Sequence, residues 1–103
     1  MDRKEILATA TNYICGDRDK KYGSPENSFS MIAALWEPFL KEKCVSEGAV
    51  VKILPEDVAA MMVLFKMARV ATGSYSEDSW IDAAGYAACG GEIVTNKERA
   101  NDR

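Results

Sequence analysis

The sequence predicts an all-α fold: a compact bundle of about four helices forming one domain, 1–103. Three observations carry this. Apolar residues recur at helical spacing in separate stretches, most stretches open on an N-terminal signal, and the connections between them are short. A chain of 103 residues suffices for one domain and hardly for two. Its apolar content of 48% is ordinary for a globular protein, and its size keeps the core modest.

The first helix is expected from Asp2 to about Cys15. Asp2 stands as its cap with Glu5 in the capping-box position, and Ile6, Leu7, Ala10, Tyr13 and Ile14 share a face; Gly16 is its stop. A charged loop, Asp17 to Gly23, leads to Ser24-Pro25-Glu26: a cap, a proline at the first helical position, and an acid at the positive end of the dipole. The second helix then runs from Pro25 to about Lys43, interrupted at Pro38, with Phe29, Ile32, Ala33, Leu35, Trp36, Phe39 and Leu40 as its apolar positions. Between Cys44 and Leu54 the β-branched residues Val50, Val51 and Ile53 allow a short extended segment near 49–53. Pro55-Glu56-Asp57 opens a third helix that ends at Gly73. From Val58 to Ala71 only its Lys66 and Arg69 are not apolar, the pattern of a central, buried helix. Ser76 caps a fourth helix, Glu77 to about Val94, and the polar tail from about 95 is expected to fray.

Composition excludes several classes of function. With a net charge of −3 and a pI near 4.9, no global basic field exists for duplex nucleic acid or an acidic membrane. The absence of histidine removes the commonest general base and the commonest zinc ligand. Cys15, Cys44 and Cys89 are odd in number and widely spaced, against a disulfide framework or a thiolate metal site. They read as reduced thiols of a cytoplasmic protein. The N-terminal stretch lacks the apolar core of a signal peptide, and no apolar run has the length of a membrane span.

The candidate functional residues are those that violate the packing pattern. Lys66 and Arg69 lie three apart on an otherwise apolar helix and share a face. Two cations cost several kcal/mol each if buried alone. They therefore meet an anion or a water-filled cleft, or their heads snorkel or pair with carboxylates of a neighbouring helix. Asp78 and Asp82, four apart, also share a face. Their mutual repulsion calls for a compensating cation, either Lys66 or Arg69, or a hard metal such as Mg²⁺. Asp82 stands where an apolar face should continue. Gly85, Gly90 and Gly91, with four nearby alanines, form a small-residue surface suited to close helix approach, within the chain or across a homo-oligomer, or to a ligand pressed on the backbone. Arg18, Lys20 and Lys21 lead into the N-terminus of the second helix, where free N–H groups favour anions. Tyr22 is placed to stack on a base, and Asn27 to contact its edge or a phosphate. A solvated loop before an ordinary cap accounts for the same stretch.

The order of DRDKKYGSPENSF, LW, EDVAAMMVLFKMARVATG and DSWIDAAGYAA resembles a family of small phage and prophage proteins of unassigned function, with YG.P..NF, K..R and DS..D..GYA elements. The likeness covers about residues 16–92. More distantly, the layout is similar to MazG-like all-α nucleoside triphosphate pyrophosphatases. Those are helical oligomers whose carboxylates bind Mg²⁺ and cleave a triphosphate to a monophosphate and pyrophosphate. That resemblance implies that Asp78 and Asp82 stand for the later acid pair, at spacing four instead of three. The earlier pattern of acids is reduced to Glu56 and Asp57, with Ala60 or Met61 where another acid is expected.

The expectation from the sequence is a homo-oligomer that binds a nucleotide or related phosphorylated small molecule between its helices. Lys66, Arg69, Arg18 and Lys21 would neutralise phosphate, Tyr22 or Trp36 would stack on the base, and Asn27 and Asp82 would orient the ligand. Mg²⁺-dependent hydrolysis through Asp78 and Asp82 is the enzymatic alternative. A structural or partner-binding bundle, in which Lys66 and Arg69 simply pair with Asp78 and Asp82, is the other.

Overall fold

The computed structural model describes residues 1–15, 24–44, 46–73 and 76–101. Among them are four helices and no strand: α1 Arg3–Ile14, α2 Pro25–Cys44, α3 Pro55–Thr72 and α4 Glu77–Asn101. This is the expected all-α bundle. Residues 16–23, with the predicted Arg18, Lys20, Lys21 and Tyr22, lie outside the described residues.

Local chemistry sets the helix starts. The Glu5 backbone N–H donates to Asp2 Oδ1 at 2.8 Å and the Asp2 N–H to Glu5 Oε2 at 3.2 Å, which completes the capping box of α1. At α2 the Asn27 N–H donates to Ser24 Oγ at 3.3 Å. At α3, Asp57 reaches back to accept the Leu54 N–H at 2.9 Å. Helix α2 runs through Pro38. The missing donor falls on the side where Ala34 and Pro38 face solvent.

Helix α4 is the hub. It packs most extensively on α3 and also on α1, while α2 packs mainly on α3. The core gathers Phe29 and Ala33 from α2, Val58 and Ala59 from α3, Cys89 and Ile93 from α4, and Ile53 from the loop before α3. Close approach depends on two glycines. A Cβ on Gly85 would stand 3.0 Å from Ile14 Cγ2, and one on Gly90 would stand 3.0 Å from Ala59 Cβ. The small-residue surface of α4 is thus used within the chain, against α1 and α3. At Gly91 an added Cβ meets nothing within 4 Å. Gly91→Ala should therefore stabilise the protein by about 1 kcal/mol through helix propensity. Gly90→Leu should destabilise it by about 1–3 kcal/mol through overpacking against Ala59. Urea denaturation of the two variants checks both signs.

Two expectations are corrected, and the short extended segment allowed near 49–53 takes no ladder partner among the described residues. Helix α3 is not buried all round: only Val58 and Ala59 along it are buried, while Leu64 is 67% and Phe65 48% exposed. It packs on α2 and α4 through one side, which leaves the opposite apolar side open. The segment 49–53 is not a strand among the described residues, because a lone extended stretch has no neighbour with which to exchange ladder hydrogen bonds. Its apolar residues act as plugs instead. Ile53 is buried in the core, Val51 packs against it, and the Ile53 N–H donates to Glu37 Oε2 at 2.8 Å.

The polar tail does not fray at Val94; α4 continues to Asn101. Lys97 Nζ lies 2.6 and 2.7 Å from the two carboxylate oxygens of Glu56 and ties the end of α4 to the start of α3. That hydrogen bond, helped by a backbone N–H, holds the Glu56 carboxyl below the ordinary glutamate value against the opposing effect of desolvation. A depressed carboxyl stabilises the fold above its unfolded pKa of about 4.3, and the contribution is lost as pH falls through the lower folded value. Because Lys97 is well exposed, the pair is worth under about 1 kcal/mol. Lys97→Met should cost that much at pH 7, and the difference from the parent protein should shrink as pH falls below the unfolded glutamate value of about 4.3, as read by thermal melts across that range.

Candidate functional site

A cleft of about 420 Å³ opens where the four helices converge. Ala10, Tyr13 and Ile14 of α1 form one wall. Pro25, Ser28, Phe29 and Ile32, from the first two turns of α2, form another. The floor and far side come from α4, through Ile81, Asp82, Gly85, Tyr86 and Cys89, and Lys66 enters from α3. Helical periodicity explains the α4 set: positions 82, 85, 86 and 89 fall on one stripe. Gly85 lets Ile14 approach the backbone here, so the absence of a side chain shapes the cleft as much as the side chains do.

The walls are mainly apolar, and the charge is concentrated in one pair. Lys66 Nζ stands 2.9 Å from Asp82 Oδ2, with side chains 16% and 30% exposed. Each ion therefore reaches the cleft while most of its surface is out of water, and each compensates the other's desolvation. Tyr86 packs against the Phe29 ring, with centroids 6.2 Å apart and planes tilted by 41°. Tyr13, on the facing helix, is 46% exposed and lines the same cleft. An apolar cavity of this size with a few convergent polar groups is the usual form of a small-molecule site.

The structure brings together only part of the expected set. Lys66 and Asp82 meet in the cleft. Arg69 shares Lys66's helix but is exposed and does not line it; its guanidinium carbon and the Lys66 Nζ each lie 5.6 Å from the Phe65 ring centroid. Trp36 packs against the hydrophobic core and does not line the cleft, because it lies two turns beyond Phe29 along α2, past the last cleft residue of that helix, Ile32. Asn27 is exposed beside its cap, and Asp78, one turn before Asp82, is exposed; neither lines the cleft. Arg18, Lys21 and Tyr22 lie outside the described residues, although Ile14 and Pro25, close to either end of that segment, both line the cleft. Among the described residues no three Asp, Glu or Cys side chains gather as a metal-binding group. Glu56 and Asp57, the acids nearest the start of α3, are engaged by Lys97 and by the Leu54 N–H.

Tyr13 and Tyr86 are the cleft residues that periodicity did not single out. Both sit at apolar positions of their helices, where a ring reads as core. The available signal was the phenol oxygen, which needs water or a partner.

The model of a family described as a domain of unknown function, DUF6378, matches residues 5–94. The chain belongs to this family. Among curated proteins it is similar to the Gene 55 protein of Mycobacterium phage D29, 42% identical over 86 residues, and to the Gene 55 protein of Mycobacterium phage L5, 39% identical over 82. These matches take in 84% and 80% of this chain but 51% and 47% of the relatives, so the chain spans about half the length of the curated relatives it matches. No solved structure matches it. The expected likeness to phage proteins of unassigned function thus holds for this DUF6378 chain. The matched span takes in every residue of the cleft, from Ala10 to Cys89, and both members of the ion pair. Among the described residues no helix is long and apolar enough to cross a membrane.

Proposed function

We propose that this phage-related protein binds a nucleotide or related phosphorylated small molecule in the four-helix cleft, as part of a homo-oligomer, and holds it without turnover. The observation that supports this most is the Lys66–Asp82 pair, set at 2.9 Å in the cleft beside two tyrosines. In this reading a phosphate takes the Lys66 ammonium as a charge-assisted partner. The released Asp82 carboxylate then accepts from a base or sugar donor. Tyr86 and Tyr13, in place of Trp36, supply the aromatic surface for the base, and the phenols supply hydrogen bonds. Arg18, Lys21 and Tyr22 belong to the proposed set through the chain on either side of them, and Arg69 through its neighbour Lys66.

The enzymatic reading, a MazG-like Mg²⁺-dependent pyrophosphohydrolase, needs several oxygen ligands around the metal. The described residues supply Asp82, already matched by a cation, and Asp78 outside the cleft. This favours binding over hydrolysis. A structural or partner-binding bundle is the second reading, favoured by the same ion pair: Lys66 already has a carboxylate.

A thermal-shift series separates the three. The probes are nucleoside mono- and triphosphates and cyclic dinucleotides, each with and without Mg²⁺. A ligand at a hundred times its Kd stabilises the native state by about 2.7 kcal/mol, which for a domain of this size raises Tm by on the order of 10 °C. A probe that does this and is recovered intact supports the proposal. A probe consumed only with Mg²⁺ makes the protein an enzyme. No shift with any probe leaves the structural reading.

A further inference from the structure

Helix α1 is the least anchored helix of the fold, yet it forms a whole wall of the cleft. Of its 12 residues only Ala10 is buried; Ile6, Thr9 and Ile14 are half-buried, and the other eight are exposed. Among the described residues α4 is the one helix against which α1 packs to any extent. Helices α2, α3 and α4, by contrast, share one core with Ile53. An ion pair between the Met1 amine and Glu77, 3.2 Å long with 35% and 34% of the two side chains exposed, adds little in water. The capping-box hydrogen bonds lie at the start of α1 itself and hold nothing across its boundary with α4.

The packing that remains is concentrated at the cleft. Ile14 reaches in where Gly85 has no side chain, so closely that an added Cβ would stand 3.0 Å from Ile14 Cγ2. Ala10 and Ile14, the anchor of α1, also line the cleft, together with Tyr13. One stripe of α1 is thus both its anchor and the cleft wall. The helix cannot leave α4 without opening the cleft, and a molecule in the cleft that touches this wall adds to the anchor. A helix of 12 residues is marginal in water by itself, so undocking and melting of α1 are one event. Segments with few buried apolar contacts are the ones that open at the lowest free energy.

We infer that α1 is a movable wall of the cleft. It undocks from α4 and melts as a unit while α2, α3 and α4 stay folded, and it docks when the cleft is filled. Undocking uncovers Asp82, Gly85 and Tyr86 on α4; docking returns Tyr13 to the opposite wall and closes over the occupant. Docking by an occupant rests on the proposed small-molecule function, whereas the separate undocking of α1 does not. A ligand that touches Ala10, Tyr13 and Ile14 binds the docked state better and shifts the population by that difference in affinity. Its apparent affinity is lowered in proportion to the fraction of molecules that are docked.

Hydrogen exchange of the whole chain, resolved by amide and followed at low urea concentrations, tests this. The amides of Ala10 to Tyr13, beyond the first turn of α1, should be at least about 10-fold less protected than those of Cys89 and Ile93 in α4. They should share one weak urea dependence, because undocking exposes little surface. Val58→Ala, at a fully buried position of α3, should lower protection in α3 and α4 by about 10-fold or more and leave that of α1 unchanged. Amides of α1 as protected as those of Cys89 and Ile93, with the same urea dependence, overturn the inference; this arm uses the parent protein and holds even if Val58→Ala fails to fold. So does a fall in α1 protection in step with α3 in that variant. A nucleotide probe that raises the Tm of the parent protein should, at a hundred times its Kd, raise protection of Ala10 to Tyr13 by up to about 100-fold. A rise in Tm with α1 unchanged also overturns the inference. If no probe raises Tm, the proposed function fails, and exchange of the parent protein still decides whether α1 moves separately.

Discussion

Lys66→Met is expected to abolish the nucleotide-dependent rise in melting temperature while leaving a folded, helical protein. Methionine keeps most of the aliphatic stem and removes the ammonium. The phosphate then loses its charged partner in the cleft, and Asp82 is left part-buried without the cation that sits 2.9 Å away. The second effect costs stability, about 1–3 kcal/mol, because one partner of a hydrogen-bonded pair has gone and the other stays desolvated. Replacing both residues separates the two effects. In Lys66→Met/Asp82→Leu no charge is left uncompensated, so stability should return to near that of the parent protein. Ligand binding should not return. Melts of the four proteins of this cycle, with and without the nucleotide, check both statements. If Lys66→Met keeps the full ligand shift, the ammonium does not meet the phosphate. If the double variant restores stability and no probe ever shifted the parent, the pair is structural.

Ile81→Ala is expected to be the most destabilising conservative substitution along the cleft, at about 2–4 kcal/mol. Ile81 is 2% exposed and lies on α4, the helix that holds α1 and α3 together. Its removal leaves a cavity that the close contact of Gly85 with Ile14 gives the helices little room to collapse. A loss of this size lowers Tm by about 8–30 °C at about 4–8 °C per kcal/mol. In a domain whose whole stability is on the order of 5–15 kcal/mol, it consumes a large share. A urea titration gives the value directly. Leu35→Ala, at a 66% exposed position, is the control and should change stability by no more than about 0.5 kcal/mol. If Ile81→Ala costs no more than that control, the packing of α1 on α4 is not what holds the cleft wall.

The sequence by itself determined the helices and their starts. The Asp2–Glu5 box, the Ser24 cap and the Pro55 start are local devices, complete within four residues, and each is found where expected. It also marked Lys66 and Asp82, since a charge at a position that periodicity assigns to the apolar face stands out without any knowledge of its neighbours. Periodicity told that α3 is apolar on nearly every side. It did not tell that one side would be left open, because that depends on how many helices pack around it. The same limit put Trp36 forward as a stacking residue. A ring on a helix reads alike whether it faces the core, as Trp36 does, or a cleft, as Tyr13 and Tyr86 do. The extent of α4 was decided by a contact 41 residues apart in sequence, Lys97 on Glu56, which no local pattern at the tail encodes. Caps and helical faces are properties of neighbouring residues. The cleft, its tyrosines and the open apolar side of α3 are properties of how distant helices pair, and only the tertiary structure decides that.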